Sequence, residues 1–452
     1  MNNFGISSLR YFRLGLIGLL LGEGSAALAQ TSAMRPLSAN DVSWLFPMPT
    51  RAADFGNLIS MRDLTTQNPH DATVRDPVWP ASAFQRFLTI AASPAAQVGA
   101  SQINLPAEAQ SMDAWFIAGI RIDAGAPGLS PDILQQFGQS PQIRLIVQPV
   151  TRAPDGTPMV QDIAGHLVFD FTAEESNPVQ AGCPARPVAD LVALKAIIRE
   201  LDALRTKLSS GQLGTNMVTT SGVPLGVHPG LLDATTANNV RQEMKAFLER
   251  HVFGRNLDAI ALVGPAPWIF LAMQKIPPNF LPAIPSGGFV PVHGPTLDGE
   301  QFAQMLGRVG DVPRVVPAPH TNNLNPITCA NAALSPATLP IANRSGSSTS
   351  ELFANPTPPA DKTRQILDLI GDPAKSHFFN TDCVSCHTET TRAVDLLQLN
   401  ADPRIDPRVL PMDPWNVRNF GWSPFGGATV TRRTAAETDA VVKFINANLL
   451  TP

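Results

Sequence analysis

His377–Arg392 reads HFFNTDCVSCHTETTR, and within it Cys383, Cys386 and His387 form the pattern C-x-x-C-H. Each residue type has a chemical use at this spacing. Thiols three positions apart can add to the two vinyl groups of one porphyrin as thioethers. The imidazole that follows is then held under the ring, where its nitrogen can ligate the iron. Val384 and Ser385 are small enough to let the backbone pass close to the porphyrin edge. With 4 Cys and 8 His in 452 residues, chance matches to this pattern are expected on the order of 10⁻³ times. A zinc ribbon would need a second Cys pair, which the chain lacks. A thioredoxin-like C-x-x-C follows a strand and opens a helix, whereas Asn380-Thr381-Asp382 before Cys383 is polar and turn-like. A local disulfide or redox pair of Cys383 with Cys386 stays open beside haem attachment.

Working outward, helical patterns lie on both sides of the motif. Thr363–Ile370 carries Ile366, Leu367 and Ile370 on one short face. Thr434–Leu450 carries Val441, Val442, Phe444, Ile445 and Leu449, with Arg432, Arg433, Glu437 and Lys443 as its polar residues. Between motif and last helix run proline-rich loops with Pro403, Pro407, Pro411 and Pro414. On C-x-x-C-H and this order of elements, about the last 90 residues resemble the cytochrome c superfamily. The resemblance implies a small all-α domain over residues 351–452, whose first and last helices pack across each other beside one covalently attached haem c. Cys383 and Cys386 would carry the haem, and His387 would ligate its iron.

For the opposite face of the iron the resemblance points to a methionine after the motif. Met412, in Leu410-Pro411-Met412-Asp413-Pro414, is the first choice, because it sits in a proline-stiffened loop before the last helix. One departure from the family is plain: only 25 residues separate His387 from Met412, a short interval for such proteins. His377 and His320 are the alternative ligands, and a loop methionine packed on the haem edge is the alternative role for Met412. Trp415, Arg418, Asn419 and Trp422 follow; an arginine and indole N–H groups suit the carboxylates of haem propionates. A solvated loop arginine and core tryptophans are the other reading of that cluster.

The start of the chain has the marks of a secretory signal over residues 1–29. Arg10 and Arg13 precede the apolar run Leu14–Leu21, which is too short to span a bilayer, and Ala27-Leu28-Ala29 is an A-x-A site. Cleavage near Ala29 would leave an exported protein, periplasmic or secreted, with no transmembrane segment. Covalent haem attachment outside the cytoplasm is the rule for the cytochrome c family, so the two features agree. Losing Arg10, Arg13 and Glu23 from 33 basic and 37 acidic residues leaves 31 and 36, a mild imbalance that gives no case for nucleic acid. The remaining thiols, Cys183 and Cys329, are expected to form a disulfide in an oxidising compartment, with two free buried thiols as the alternative.

The rest of the chain reads as β-rich. The 43 prolines are about twice ordinary usage, which favours short strands and turns over long helices. Trp115–Ile122, Gln142–Val150 and His166–Phe171 alternate as strands separated by turn signals, the reading of an antiparallel sheet or sandwich. Trp44–Pro49 reads as an edge or packed loop, and residues 30–110 otherwise lack periodicity. Helices are expected over 188–208 and from about Thr235 to His251, then strands at Ala259–Val263 and Trp268–Met273. Residues 276–360 are dominated by Pro, Gly, Asn, Ser and Thr, and within them Asn343–Ser350 and Asn355–Pro359 read as exposed loop and linker. His228 and His293 sit in loops where either could serve a site. The expected organisation is multidomain: a β-rich domain over 30–180, a mixed region over 181–350 and the cytochrome c-like haem domain over 351–452.

These readings converge on an exported monohaem c-type cytochrome that passes single electrons to an unidentified redox partner protein. Two alternatives stand beside it. One is a peroxidase- or oxidase-like haem enzyme whose N-terminal region forms the substrate site. The other is a β-rich partner-binding protein with an appended haem redox sensor. About 320 residues precede the haem segment, far more than a simple carrier needs.

Overall fold

Alternating apolar and polar residues from Trp115 onward build the centre of a ten-stranded antiparallel sheet in this computed structural model. The structure describes residues 34–92, 97–98, 101–102, 105–124, 141–176, 186–263, 269–276, 288–291, 303–309, 312–317, 360–375, 389–391, 393–394, 402–411 and 418–450. The strands are β1 (Ser43–Leu45), β2 (Trp115–Asp123), β3 (Gln142–Arg152), β4 (Pro158–Val160), β5 (Ala164–Asp170), β6 (Leu257–Val263), β7 (Ile269–Ile276), β8 (Gly288–Pro291), β9 (Ala303–Val309) and β10 (Val312–Pro317). Their order is β1-β2-β3-β5-β6-β7-β9-β10, with β4 beside β3 and β8 beside β7.

Register carries one apolar row across this sheet. Trp44 lies opposite Ile120, Ile120 opposite Leu145, Leu145 opposite Leu167, Leu167 opposite Ile260, and Ile260 opposite Met273. All six are buried. A one-residue slip in any pair would turn that strand's apolar set to the other face, so the row pins the register. Helices close over this face. Phe84 and Phe87 of α2 (Ala81–Ala91) surround Trp79, which meets Trp115 edge-on with ring centres 5.6 Å apart. In α3 (Leu191–Ser209), Leu194, Ile198, Leu201 and Leu208 are buried at helical spacing, and the Asp190 side chain caps the start by accepting from Val192 and Ala193 N–H. Phe247 of α4 (Ala237–His251) meets Trp44 edge-on at 5.2 Å.

The opposite face is covered by the end of the chain. A hairpin, β11 (Phe420–Ser423) with β12 (Gly427–Val430), lies on β2 and β3. The Gln148 amide donates to Trp422 O at 2.9 Å and accepts from Trp422 N–H at 2.6 Å, while the Trp422 indole donates to Phe46 O at 2.9 Å. Gly119 makes the close approach of this hairpin to the sheet feasible: a methyl group there would stand 2.6 Å from the buried Phe420 ring. The last helix (Arg432–Asn448) follows. Its Thr438 hydroxyl bonds Ser43 Oγ at 3.0 Å, its Glu437 pairs with Arg121 at 2.8 Å, and its Asn446 exchanges two bonds with the Leu37 backbone.

Several expectations meet these coordinates directly. The strands from Trp115, Gln142 and Ala164, the helices at 191–209 and 237–251, and the edge strand at Trp44 are present. One reading is corrected: residues 30–110 do hold a helix, α2, whose two phenylalanines enter the core. Within the mixed region expected over 181–350, β8, β9 and β10 extend the sheet, β8 and β9 pairing with β7 and β10 with β9. Among the described residues, one core holds buried apolar side chains from Leu37 to Met273 and from Ile405 to Leu449; Leu367 and Ile370 are buried apart from it. No helix among the described residues is long and apolar enough to cross a membrane.

Candidate functional site

Cys383, Cys386, His387, Met412 and Trp415 lie outside the described residues, as do Cys183, Cys329, His293, His320 and His377. What the structure describes is the framework from which the motif and the Met412 loop depart. Upstream stands α5 (Ala360–Gly371), with Leu367 and Ile370 buried. Downstream are the helical residues Glu389–Thr391. Farther on comes α6 (Arg432–Asn448), the last helix described above. The two helices touch: Arg432 Nη2 reaches Asp368 at 2.6 Å, and Arg433 Nη1 donates to Ile370 O at 3.2 Å.

Glu389 is the centre of a buried polar knot. Its Oε1 accepts from Arg432 Nη1 at 2.7 Å and its Oε2 from the Thr390 hydroxyl at 2.8 Å. The Arg432 backbone N–H in turn donates to Thr390 Oγ1 at 2.8 Å. Burial pushes the Glu389 carboxyl up to about 7, against the lowering pull of Arg432. A second knot joins α6 to the sheet. Glu437 accepts from Arg433 Nε at 2.7 Å and pairs with Arg121. Burial alone would raise the Glu437 carboxyl; Arg121, Arg433 and Arg144 overturn that and hold it well below the ordinary carboxylate range.

The described residues on both sides of the segment that carries Met412 and Trp415 are fixed. Before it, Ile405 and Val409 are buried, Leu225 N–H donates to Arg404 O at 2.7 Å, and Asp406 N–H donates to Leu225 O at 2.9 Å. Asp406 caps the short turn Pro407–Val409 by accepting from Arg408 N–H. After it, Arg418 is buried and its Nη2 bonds Asp162 Oδ1 of the sheet region at 2.7 Å. Its carbonyl accepts from the Thr429 hydroxyl at 3.2 Å. Arg418 is therefore not a solvated loop arginine; it joins the end of the Met412 loop to the residues before β5. Trp422 is a core tryptophan with its indole N–H committed to Phe46 O.

No protein-family model, no curated protein and no solved structure matches this chain. The chemistry of the site therefore rests on its own residues. Two thiols and an imidazole in C-x-x-C-H suit the two thioether bonds and one axial bond of a haem c, and both flanks of the motif are anchored in described structure. Among the described residues no group of three or more His, Cys, Asp or Glu could hold a metal ion.

Other histidines have structural surroundings. His228 is fully buried, and its Nδ1 accepts from Gly230 N–H at the start of the short helix Pro229–Leu232. Burial lowers its pKa to about 3, so it is a neutral helix cap. His166 stands on β5 opposite Ile146, on the face away from Leu167 and Phe169. The Arg432–Glu389–Asp368 knot was not read from sequence. One signal was there: α6 begins with Arg432 and Arg433, cations at the end of a helix where anions are favoured. Such a start asks for carboxylates from elsewhere in the chain.

Proposed function

We propose that the chain is an exported c-type cytochrome that carries one haem and transfers single electrons. The observation that carries the reading is C-x-x-C-H at Cys383, Cys386 and His387, preceded by a signal-like start. Bound there, the haem supplies a one-electron iron couple. The chain's own residues would do the rest. Cys383 and Cys386 hold the porphyrin covalently, His387 ligates one side of the iron, and Met412 is the ligand proposed for the other. Trp415 and Arg418, at the Met412 loop, are the proposed neighbours of the propionates; the ion pair of Arg418 with Asp162 means that it would serve there while tied to the sheet region. Residues 351–452 are read as a cytochrome c-like unit; the contact of α5 with α6 supports that reading. The electron donor and acceptor are redox proteins met outside the cytoplasm.

A haem enzyme is the second reading, and one observation favours it. Arg418 and the last helix are tied to the large sheet by ion pairs, and Trp422 by hydrogen bonds, which supports a substrate site built partly by the sheet region. Sixth-position chemistry separates the two. Matured protein, denatured in acidified organic solvent and weighed, carries one covalent haem; a chain of unmodified mass removes the proposal. In the carrier, Met412→Ala lowers the midpoint potential and admits carbon monoxide that the parent excludes. A parent that already binds carbon monoxide and turns over peroxide, with a spectrum that Met412→Ala leaves unchanged, makes the protein an enzyme instead.

A further inference from the structure

An antiparallel strand sends its backbone N–H and C=O groups alternately to its two edges, so register decides which residues of an outer strand face away from the sheet. One end of the sheet is β10, which among the described residues pairs only with β9. Val309 lies opposite Val312, with only residues 310 and 311 between them in the chain. Those two are chain neighbours and cannot bond each other, so Val309 and Val312 must be a pair that exchanges both backbone bonds. From there the ladder alternates. Val312, Arg314 and Val316 turn their N–H groups to β9, opposite Val309, Gly307 and Met305. Positions 313, 315 and 317 turn outward, and both Pro313 and Pro317 lack an N–H. Val315 keeps the one outward donor of this strand.

The same phase carries inward. With Met305, Gly307 and Val309 bonded to β10, Gln304 faces β7 and bonds Phe270. Gln274 and Ile276 of β7 then turn the same way, to Val290 and Gly288 of β8, which leaves Pro291 outward as well. The other end of the sheet is closed by different means: Leu45 O of β1 accepts from His228 N–H, and Leu45 bridges Val227. One end is thus covered by chain, while the other is stripped of donors. A proline at 314 would cost the sheet a bond to β9; at 313 and 317 it costs the sheet nothing and an incoming strand two bonds.

We propose that Pro313 and Pro317 close this edge to strand addition, so that β10 does not pair with the same edge of a second copy of the chain. An edge with its full row of donors is a template for such pairing. With a single donor left at Val315, an added strand would leave its own carbonyls without partners at 313 and 317, and the pairing would be too weak to hold two copies together.

The test uses the full-length protein, the double variant Pro313→Thr with Pro317→Thr, which restores both outward donors, and Val315→Pro, which removes the last one. Sedimentation velocity over a concentration series gives the association state. A synthetic peptide of the β9 sequence, Ala303–Val309, serves as the incoming strand. The parent and Val315→Pro should share one association state and bind no peptide, and Val315→Pro should keep the parent's unfolding midpoint, because the N–H it removes bonds nothing in the sheet. The double variant should self-associate at least about a hundredfold more tightly, about tenfold for each restored hydrogen bond, and should bind the peptide. If the double variant does not fold, the two single variants decide by the same measurements, each with about a tenfold effect. A folded variant with the parent's association state and no peptide binding overturns the proposal. So does a parent that self-associates until Val315→Pro abolishes the association, since the edge is then an interface. A Val315→Pro that cannot fold refutes the strand phase on which the proposal stands.

Discussion

His228 shows how a single buried side chain sets an acid limit. Its imidazole accepts a backbone N–H and is buried, so it stays neutral in the folded protein, with a pKa near 3 against 6.5 for the free side chain. Between these values the unfolded chain binds more protons than the folded one. Stability is therefore full above pH 6.5 and falls progressively as pH drops toward 3, by several kcal/mol over the whole range. Urea unfolding at pH 7, 5.5 and 4 should show the decline, and His228→Gln should flatten it. An unfolding free energy that stays level from pH 7 to 4 in the parent would contradict this assignment. At this same scale the sequence was ambiguous: a histidine beside Pro229 looks alike whether it lines a site or caps a helix, and only its burial separates the two.

At the scale of elements, α6 is held by charge as much as by apolar packing. Val441, Ile445 and Leu449 are buried, yet Glu437 on the same helix pairs both with Arg433 and with Arg121 of β2. Glu437→Gln leaves Arg121 and Arg433 short of a carboxylate in a largely enclosed place and should cost about 3 kcal/mol. The effect has a pH signature of the opposite chemical kind from His228. Because the folded carboxyl is held below its ordinary value of 4.5, its contribution is present above that pH and is lost as pH falls below it. The difference between parent and Glu437→Gln, measured by denaturant titration, should therefore shrink on acidification; a difference that is constant from pH 7 to 3 would mean that only shape was lost. Helices such as α3 and α4 were legible because their apolar residues repeat at 3.6-residue spacing over many turns. Helix α2 was missed although Phe84, Phe87 and Ala91 lie on one face, since eleven residues amid turn signals give a weak pattern. Strands β9 and β10 carry Gly307, Pro313 and Pro317, residues that argue against strands until a neighbouring strand supplies the pairing.

For the whole molecule, legibility divides by distance along the chain. The C-x-x-C-H pattern is local, five residues long, and its reading as a haem site comes from the sequence alone. The knot around Glu389 joins Arg432 to partners 43 and 64 positions before it, and no local pattern encodes such a meeting. The same holds for the sheet's second face, where Gln148 and Trp422 are 274 positions apart. Long-range pairing is also what the disulfide expectation asserts. Cys183 and Cys329 are expected to be linked in exported protein, and peptide mapping without reduction should recover them as one cross-linked pair. Two thiols that alkylate in the native protein would refute it.

The clasp of Leu37 by Asn446 spans 409 positions and has a consequence for the order of events as the chain is made. Synthesis delivers the N-terminal end first, so β2 and β3 exist long before anything can cover their second face. Ser43, Gly119 and Gln148 wait for Phe420, Trp422 and α6, the last of these pieces to emerge. The thiols at 383 and 386 are delivered earlier than that closing helix. The second face of the sheet thus stays open until this seventeen-residue helix docks on it.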